Sequence, residues 1–340
     1  MIKKLFALLA AICLLLPGCA TTEVQDTTAP APNRTVGISL PDFSWSGYAD
    51  SLKELLEAEG YTVLVEYAAG DLHLQHAQVQ TLVNMPVGCL VVAAMDSMAL
   101  GDVLTENVPV IALDRMLMYT ENVTGCVATD SYAAGQQLGK YIVDAKQLAT
   151  AEAPLTIEFL MGAPENHSAM LLYQGVMEQL QPYLLSGILQ CRSGRTAFED
   201  VALQPATTNG ASDRCFDYLA DYYTDAVPDI LCAASDDMAA GCIGALTSFG
   251  VDLGEDWPLI TGIGTTETGI ENIREGYQNV SLYTDARFLA QQCVRWVLAS
   301  IQGEPISGNM MFNGVAEIPT ALITPTLIDK ENCSDILPQS

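Results

Sequence analysis

A chain of 340 residues, 50% of them apolar, has material for two domains of roughly 100–200 residues, each with its own core. Fourteen Lys and Arg stand against 41 Asp and Glu, a net charge of −27. So few bases exclude a protein that coats nucleic acid, which needs clustered Lys/Arg to displace the counterions of phosphate. The apolar content excludes an acidic disordered chain.

The first segment, MIKKLFALLAAICLLLPGCA, sets Lys3 and Lys4 ahead of an apolar run from Leu5 to Leu16. That is the order of a secretory signal, whose core takes about 7–15 residues, whereas a spanning helix needs about 20. Leu16-Pro17-Gly18-Cys19 resembles the bacterial lipobox, where cleavage precedes the cysteine and its thiol is acylated. Residues 1–18 are therefore expected to be a lipoprotein signal peptide, Cys19 a lipid anchor, and 19–34, rich in Thr, Pro and Ala, a flexible tether. The remaining chain is then exported and held on the outer face of the cell membrane or in the periplasm. Of the eight later cysteines, Cys89, Cys126, Cys191 and Cys232 lie in or beside apolar runs, which favours free buried thiols. No C-x-x-C or Cys/His spacing calls for a metal, and no cofactor is expected.

From Thr35 the chain alternates. Strands are expected at 36–40, 61–67, 89–94, 108–113 and 125–129. Helices are expected from Tyr48 to a stop at Gly60, at 75–84, around Met98–Leu104, and at 132–146 behind Asp130. The second half repeats the theme, with strands at 155–161, 188–192, 229–234 and 259–263 and helices at 169–183, 211–223, 238–249 and 268–275. A helix at 286–301 and short strands near 311–312 and 321–323 follow. Apolar strands alternating with helices make parallel sheets covered on both faces, and their number fits two doubly wound α/β lobes. In such sheets ligands meet the loops after the strands.

Those loops carry Phe43, Ser44 and Trp45, then Asp96, Asp114-Arg115, the GAPENHS run containing His167, Ser235-Asp236-Asp237, and Gly264-Thr265-Thr266. Carboxylates accept hydroxyl hydrogens, Arg donates to hydroxyl or ring oxygens, and aromatic faces cover C–H patches, so the assortment suits a polyol such as a sugar. No G-x-S-x-G, Walker or H-E-x-x-H motif is present, and no catalytic residue is assigned.

VGISLP, VVAAMDS (91–97), VIALDR (110–115), ATDSYAAGQQLG (128–139), SDDMAAG (235–241) and YTDARFLA (283–290), in that order and spacing, resemble the type I solute-binding proteins of ABC sugar importers. The nearest subgroup is that of the xylose, glucose and galactose multiple-sugar binders. The resemblance runs from about Val36 to Lys330 and implies two lobes joined by three hinge crossovers, placed near Thr129, Tyr283 and Ile318. One lobe would hold 35–129 with 285–318, the other 130–283 with 319–330, and 331–340 would be a tail. It further implies a monosaccharide, pentose or hexose, touched by Phe43, Trp45, Asp96, Asp114 and Arg115 from the first lobe, His167, Ser235 and Asp236 from the second, and Thr284 at a hinge. A monomer that hands its ligand to an ABC permease and its ATPase follows from the same likeness. Four positions depart from the family: Gly264 replaces an Asp, Ser44 an Arg, Thr284 a long polar residue, and His167-Ser168 an Asn-Asn pair. A non-sugar polar solute such as a nucleoside, and a ligand sensor signalling to a membrane receptor, stay open on the sequence.

Overall fold

The computed structural model describes residues 33–336; the signal peptide, Cys19, nearly all of the tether and the last residues of the tail lie outside them. Strand β1 (Thr35–Leu40), buried from Val36 onward, pairs in parallel with β2 (Thr62–Tyr67) and β3 (Cys89–Val92). Between them run α1 (Ser46–Ala58), after a short 3-10 turn at Phe43–Trp45, and α2 (Leu72–Val83). The Asp71 carboxylate starts α2 by accepting the N–H groups of His73 and Leu74. Strands β4 (Val110–Leu113) and β5 (Gly125–Thr129) extend the sheet in parallel.

The chain then crosses to a second layer of elements: α3 (Ser131–Ala145), β6 (Leu155–Leu160), α4 (His167–Ser186), β7 (Leu189–Gln190), α5 (Phe198–Val201), α6 (Thr208–Tyr222), β8 (Ile230–Ala233), α7 (Asp236–Ser248), β9 (Leu259–Ile260), α8 (Glu267–Glu275) and β10 (Val280–Tyr283). Their sheet runs β7-β6-β8-β9, all parallel, and a bridge from Thr261 to Val280 brings β10 alongside. Helix α9 (Ala286–Gln302) returns and buries Leu289, Cys293, Trp296 and Val297 on the first sheet. Strands β11 (Asn309–Phe312) and β12 (Glu317–Ile323) complete that sheet in the order β11-β12-β5-β4-β3-β1-β2. Finally β13 (Thr326–Asp329) pairs antiparallel with β10, and α10 (Cys333–Ile336) follows. This is the α/β architecture of two doubly wound sheets, here called the first and second lobes.

Three departures from the sequence expectation have a clear physical cause. The third crossover falls after Ile323, not near Ile318, because β12 stays in register with β5 from Thr320 to Ile323. The ladder ends at Ile323, opposite the last residue of β5, and two residues on, Gln137 of α3 donates to the Pro325 carbonyl at 3.0 Å. Met98–Leu104 forms consecutive turns rather than a helix, since Gly101 interrupts a window too short to offset helix nucleation. The strand expected at 188–192 pairs only at Leu189–Gln190. There the chain folds over buried Glu158, whose carboxylate accepts Ser193 N–H and Tyr223 O–H, each at 3.0 Å, and the Cys191 thiol at 3.4 Å. Burial pushes that thiol up to about 11, so it stays protonated.

Helices α3 and α4 meet backbone to backbone. A Cβ at Gly135 would lie 2.0 Å from the Leu172 carbonyl oxygen and 2.8 Å from Val176 N. Gly135→Ala must therefore push the helices apart, at a cost of about 1–3 kcal/mol or more. A thermal melt of that variant is expected about 4–10 °C below wild type; an unchanged melting temperature would show that the helices separate freely.

Candidate functional site

The C-terminal ends of both sheets open on one cleft of about 780 Å³ between the lobes. On the first lobe, β4 ends in a tight turn. Arg115 N–H donates to the Leu113 carbonyl at 2.7 Å across Asp114, whose φ is +61°. That is a γ-turn, strained for a residue with a side chain, and strain of this kind collects where a fold must aim a group. Asp114 and Arg115 both line the cleft. The guanidinium is fixed by donating Nη1 to the carbonyls of Ala94 (3.0 Å) and Met95 (3.3 Å) and by stacking on Trp45, 5.5 Å from the ring centre.

Asp96 and Thr284 also line the cleft, Asp96 with one oxygen accepting Met98 N–H at 2.8 Å. Trp45 stands behind the surface, tilted on Tyr48 at 5.1 Å, and supports Arg115 from below. Phe43 does not reach the cleft; it is 74% exposed and packs on Tyr67. Two residues that the strand-end reading missed belong here. Tyr48 lines the wall, and burial first, then the Asp114 charge, hold its phenol far above its ordinary range, so it can donate a proton in a hydrogen bond. Gln75 is buried and ties the strand ends together, accepting Met95 N–H at 2.9 Å and donating to the Ala93 carbonyl at 2.8 Å. Neither has a sequence signal that separates it from an ordinary helix face.

On the second lobe Ser235 lines the cleft and caps α7, its hydroxyl accepting Met238 N–H at 3.2 Å. Asp236 is a correction to the sequence reading. It is 1% exposed and lies behind the wall, where its carboxylate accepts Gln278 Nε2–H and Ser281 O–H, both at 2.8 Å, and Thr266 N–H at 2.9 Å. Its place on the surface is taken by Asp237, which lines the cleft together with Asn166, Ser168 and Gly264. His167, the first residue of α4, also lies elsewhere than expected. It borders a smaller hollow of about 100 Å³ on the hinge side, with Leu171, Met311 and Leu322, and burial lowers its pKa so that the ring is neutral at pH 7.

Two parallel-sheet lobes, three crossovers and a cleft lined with polar groups are the features of a hinged solute binder. The family model described as a periplasmic binding protein domain matches residues 36–305. The chain belongs to the periplasmic binding protein family. This periplasmic binding protein is 31% identical over 339 residues to the multiple sugar-binding periplasmic receptor ChvE of Rhizobium radiobacter, covering 95% of each chain. It is also 31% identical over 316 residues to the multiple sugar-binding periplasmic protein SbpA of Azospirillum brasilense, covering 90% of this chain and 88% of that one. Among solved structures it resembles an ABC transporter solute-binding protein of Clostridium phytofermentans with bound β-D-glucose. That match has a TM-score of 0.84 at 30% identity and covers 89% of this chain and 96% of the other. A periplasmic binding protein works outside the cytoplasm and binds a solute; it is not an enzyme.

Proposed function

We propose that this periplasmic binding protein captures a monosaccharide, a pentose or hexose, between its lobes and delivers it as a monomer to an ABC permease. The observation that carries the reading is the strained turn at Asp114-Arg115, which aims a carboxylate and a guanidinium into a cleft whose far wall holds Ser235 and Asp237. A carboxylate takes two hydroxyl hydrogens, Arg115 donates to a hydroxyl or ring oxygen, and Tyr48 donates from the same side. A sugar that touches both lobes only when they close shifts the population to the closed form, since only differential contact moves an equilibrium. The crossovers at 130, 284–285 and 324–325 are the segments that would bend.

The test is a thermal-shift panel of pentoses, hexoses, polyols, nucleosides and amino acids. A matching sugar at 100 times its Kd adds about 2.7 kcal/mol, which raises the melting temperature by roughly 5 °C or more. A shift from a nucleoside or amino acid with none from any sugar would contradict the proposal.

The proposal includes a lipid anchor at Cys19, drawn from the Leu16-Pro17-Gly18-Cys19 motif. Acylation would keep the binder near its permease and raise the effective concentration of the encounter. Mass spectrometry of protein from the native membrane fraction is expected to find Cys19 as the first residue, carrying the mass of its acyl groups. An unmodified Cys19 inside a longer mature chain would remove the anchor from the account.

A further inference from the structure

The charge of the cleft is lopsided. Four carboxylates line it, Asp96, Asp114, Glu165 and Asp237, against one Lys or Arg side chain, Arg115. Asp96 already accepts Met98 N–H, and Glu165 accepts Gln204 Nε2–H. Asp114 and Asp237 are different. Among the described residues neither carboxylate accepts a hydrogen bond or joins an ion pair, and Arg115 is held by carbonyls and an aromatic ring rather than by an acid. One of these acids comes from each lobe, so both lose water when the lobes close around a ligand.

Taking a carboxylate out of water is expensive unless hydrogen-bond donors or an opposite charge replace the water. A neutral hydroxyl donates one hydrogen and leaves the excess of acid untouched. An ammonium donates three, cancels one charge, and makes the stronger charge-assisted bonds. The second-lobe wall leaves Asp237 room to reach such a group. Ser168, Ser235 and Gly264 are short, and a Cβ added at Gly264 would meet nothing closer than 3.9 Å. A sugar carboxylate would add a further negative charge to the same wall.

We propose that the cleft prefers an aminated monosaccharide, with its ammonium bound between Asp114 of the first lobe and Asp237 of the second. The inference rests on the sugar-binding reading above and names the ligand class of that site. Asp237 then sets specificity from the α7 side of the cleft.

The experiment is isothermal titration at pH 7 of the full chain with matched pairs: glucose and glucosamine, galactose and galactosamine, mannose and mannosamine, with glucuronate and galacturonate as the acidic counterparts. In at least one pair the amine is expected to bind ten times or more tighter than its neutral partner, and the acids are expected to bind weakest. In Asp237→Asn that amine-to-neutral ratio is expected to fall below about three. Neutral sugars binding as well as or better than their amines would overturn the amine preference and leave sugar binding standing. A ratio unchanged in both Asp237→Asn and Asp114→Asn would overturn the assigned contacts. If no member of any pair binds, the amine inference fails, while the sugar reading is decided separately by the thermal-shift panel, which includes pentoses.

Discussion

Asp114→Asn is expected to weaken sugar binding by roughly 10- to 100-fold while the melting temperature of the unliganded protein stays within about 2 °C of wild type. The carboxylate lines the cleft at the end of β4, and a hydrogen bond to a charged group contributes about 1.5–3 kcal/mol, close to one or two factors of ten in Kd. Asparagine keeps the backbone, because Asn tolerates the positive φ of +61° about as well as Asp does. Asp114→Ala removes both properties, so it is expected to lose affinity to at least the same degree and also some stability. Titration calorimetry beside a melt of the unliganded protein separates the two effects. Wild-type affinity in Asp114→Asn would take the strained turn out of the ligand site.

The largest loss of stability outside the core is expected for Asp236→Ala. Its carboxylate satisfies donors from three places: Thr266 before α8, Gln278 before β10, and Ser281 within β10. Gly262 and Gly269 lie directly against it, since a Cβ at either would fall 2.3 Å from a carboxylate oxygen. Removing the acceptor strands three buried donors, which costs about 3–5 kcal/mol and lowers the melting temperature by roughly 6–15 °C. Calorimetric melts check this, and a drop under about 2 °C would contradict it. Burial raises the pKa of Asp236, with the hydrogen bonds of Gln278, Ser281 and Thr266 opposing. The folded state therefore holds this proton to higher pH than the unfolded chain does, and stability falls as pH rises from the ordinary value of 3.8 through the folded one. Asp236→Asn carries no such proton, so the stability of wild type relative to that variant is expected to decline as pH is raised through this interval.

Much of the fold was legible because its signals are local. Apolar runs such as CLVV and ILCA, separated by helical spacing and by a cap such as Asp130, mark buried parallel strands and the helices between them. The errors lie where distant partners decide. Nothing near Pro319 tells the chain that β5 will pair beyond it, and Glu158 folds the 191–195 segment away from the sheet through contacts more than 30 residues distant in sequence. The same distinction runs through the site. Asp96, Asp114, Arg115, Ser235 and Thr284 are on the cleft because the end of a strand or a crossover fixes them there. Asp236 and Asp237 are adjacent, and the alternation at the head of α7 sends one inward and the other to the cleft, a choice made by the cavity between Gly262 and Gly269. Phe43 and Trp45 share one turn, yet only Trp45 reaches Arg115. Tyr48 and Gln75 act from helix faces, where a residue turned to a ligand and one turned to the core have the same period.

The acidity that first sets this sequence apart is present at the site as well as in the total, with four carboxylates to one guanidinium lining the cleft. The measurement that bears most directly on the whole account is a crystal structure of the protein with the sugar selected by the thermal-shift panel. The account places that sugar between the lobes, with hydroxyl or amine groups on Asp114 and Arg115 from one side and on Ser235 and Asp237 from the other, and with Asp236 still buried behind them. A sugar bound outside the cleft, or bound within it without touching Asp114 and Arg115, would contradict it.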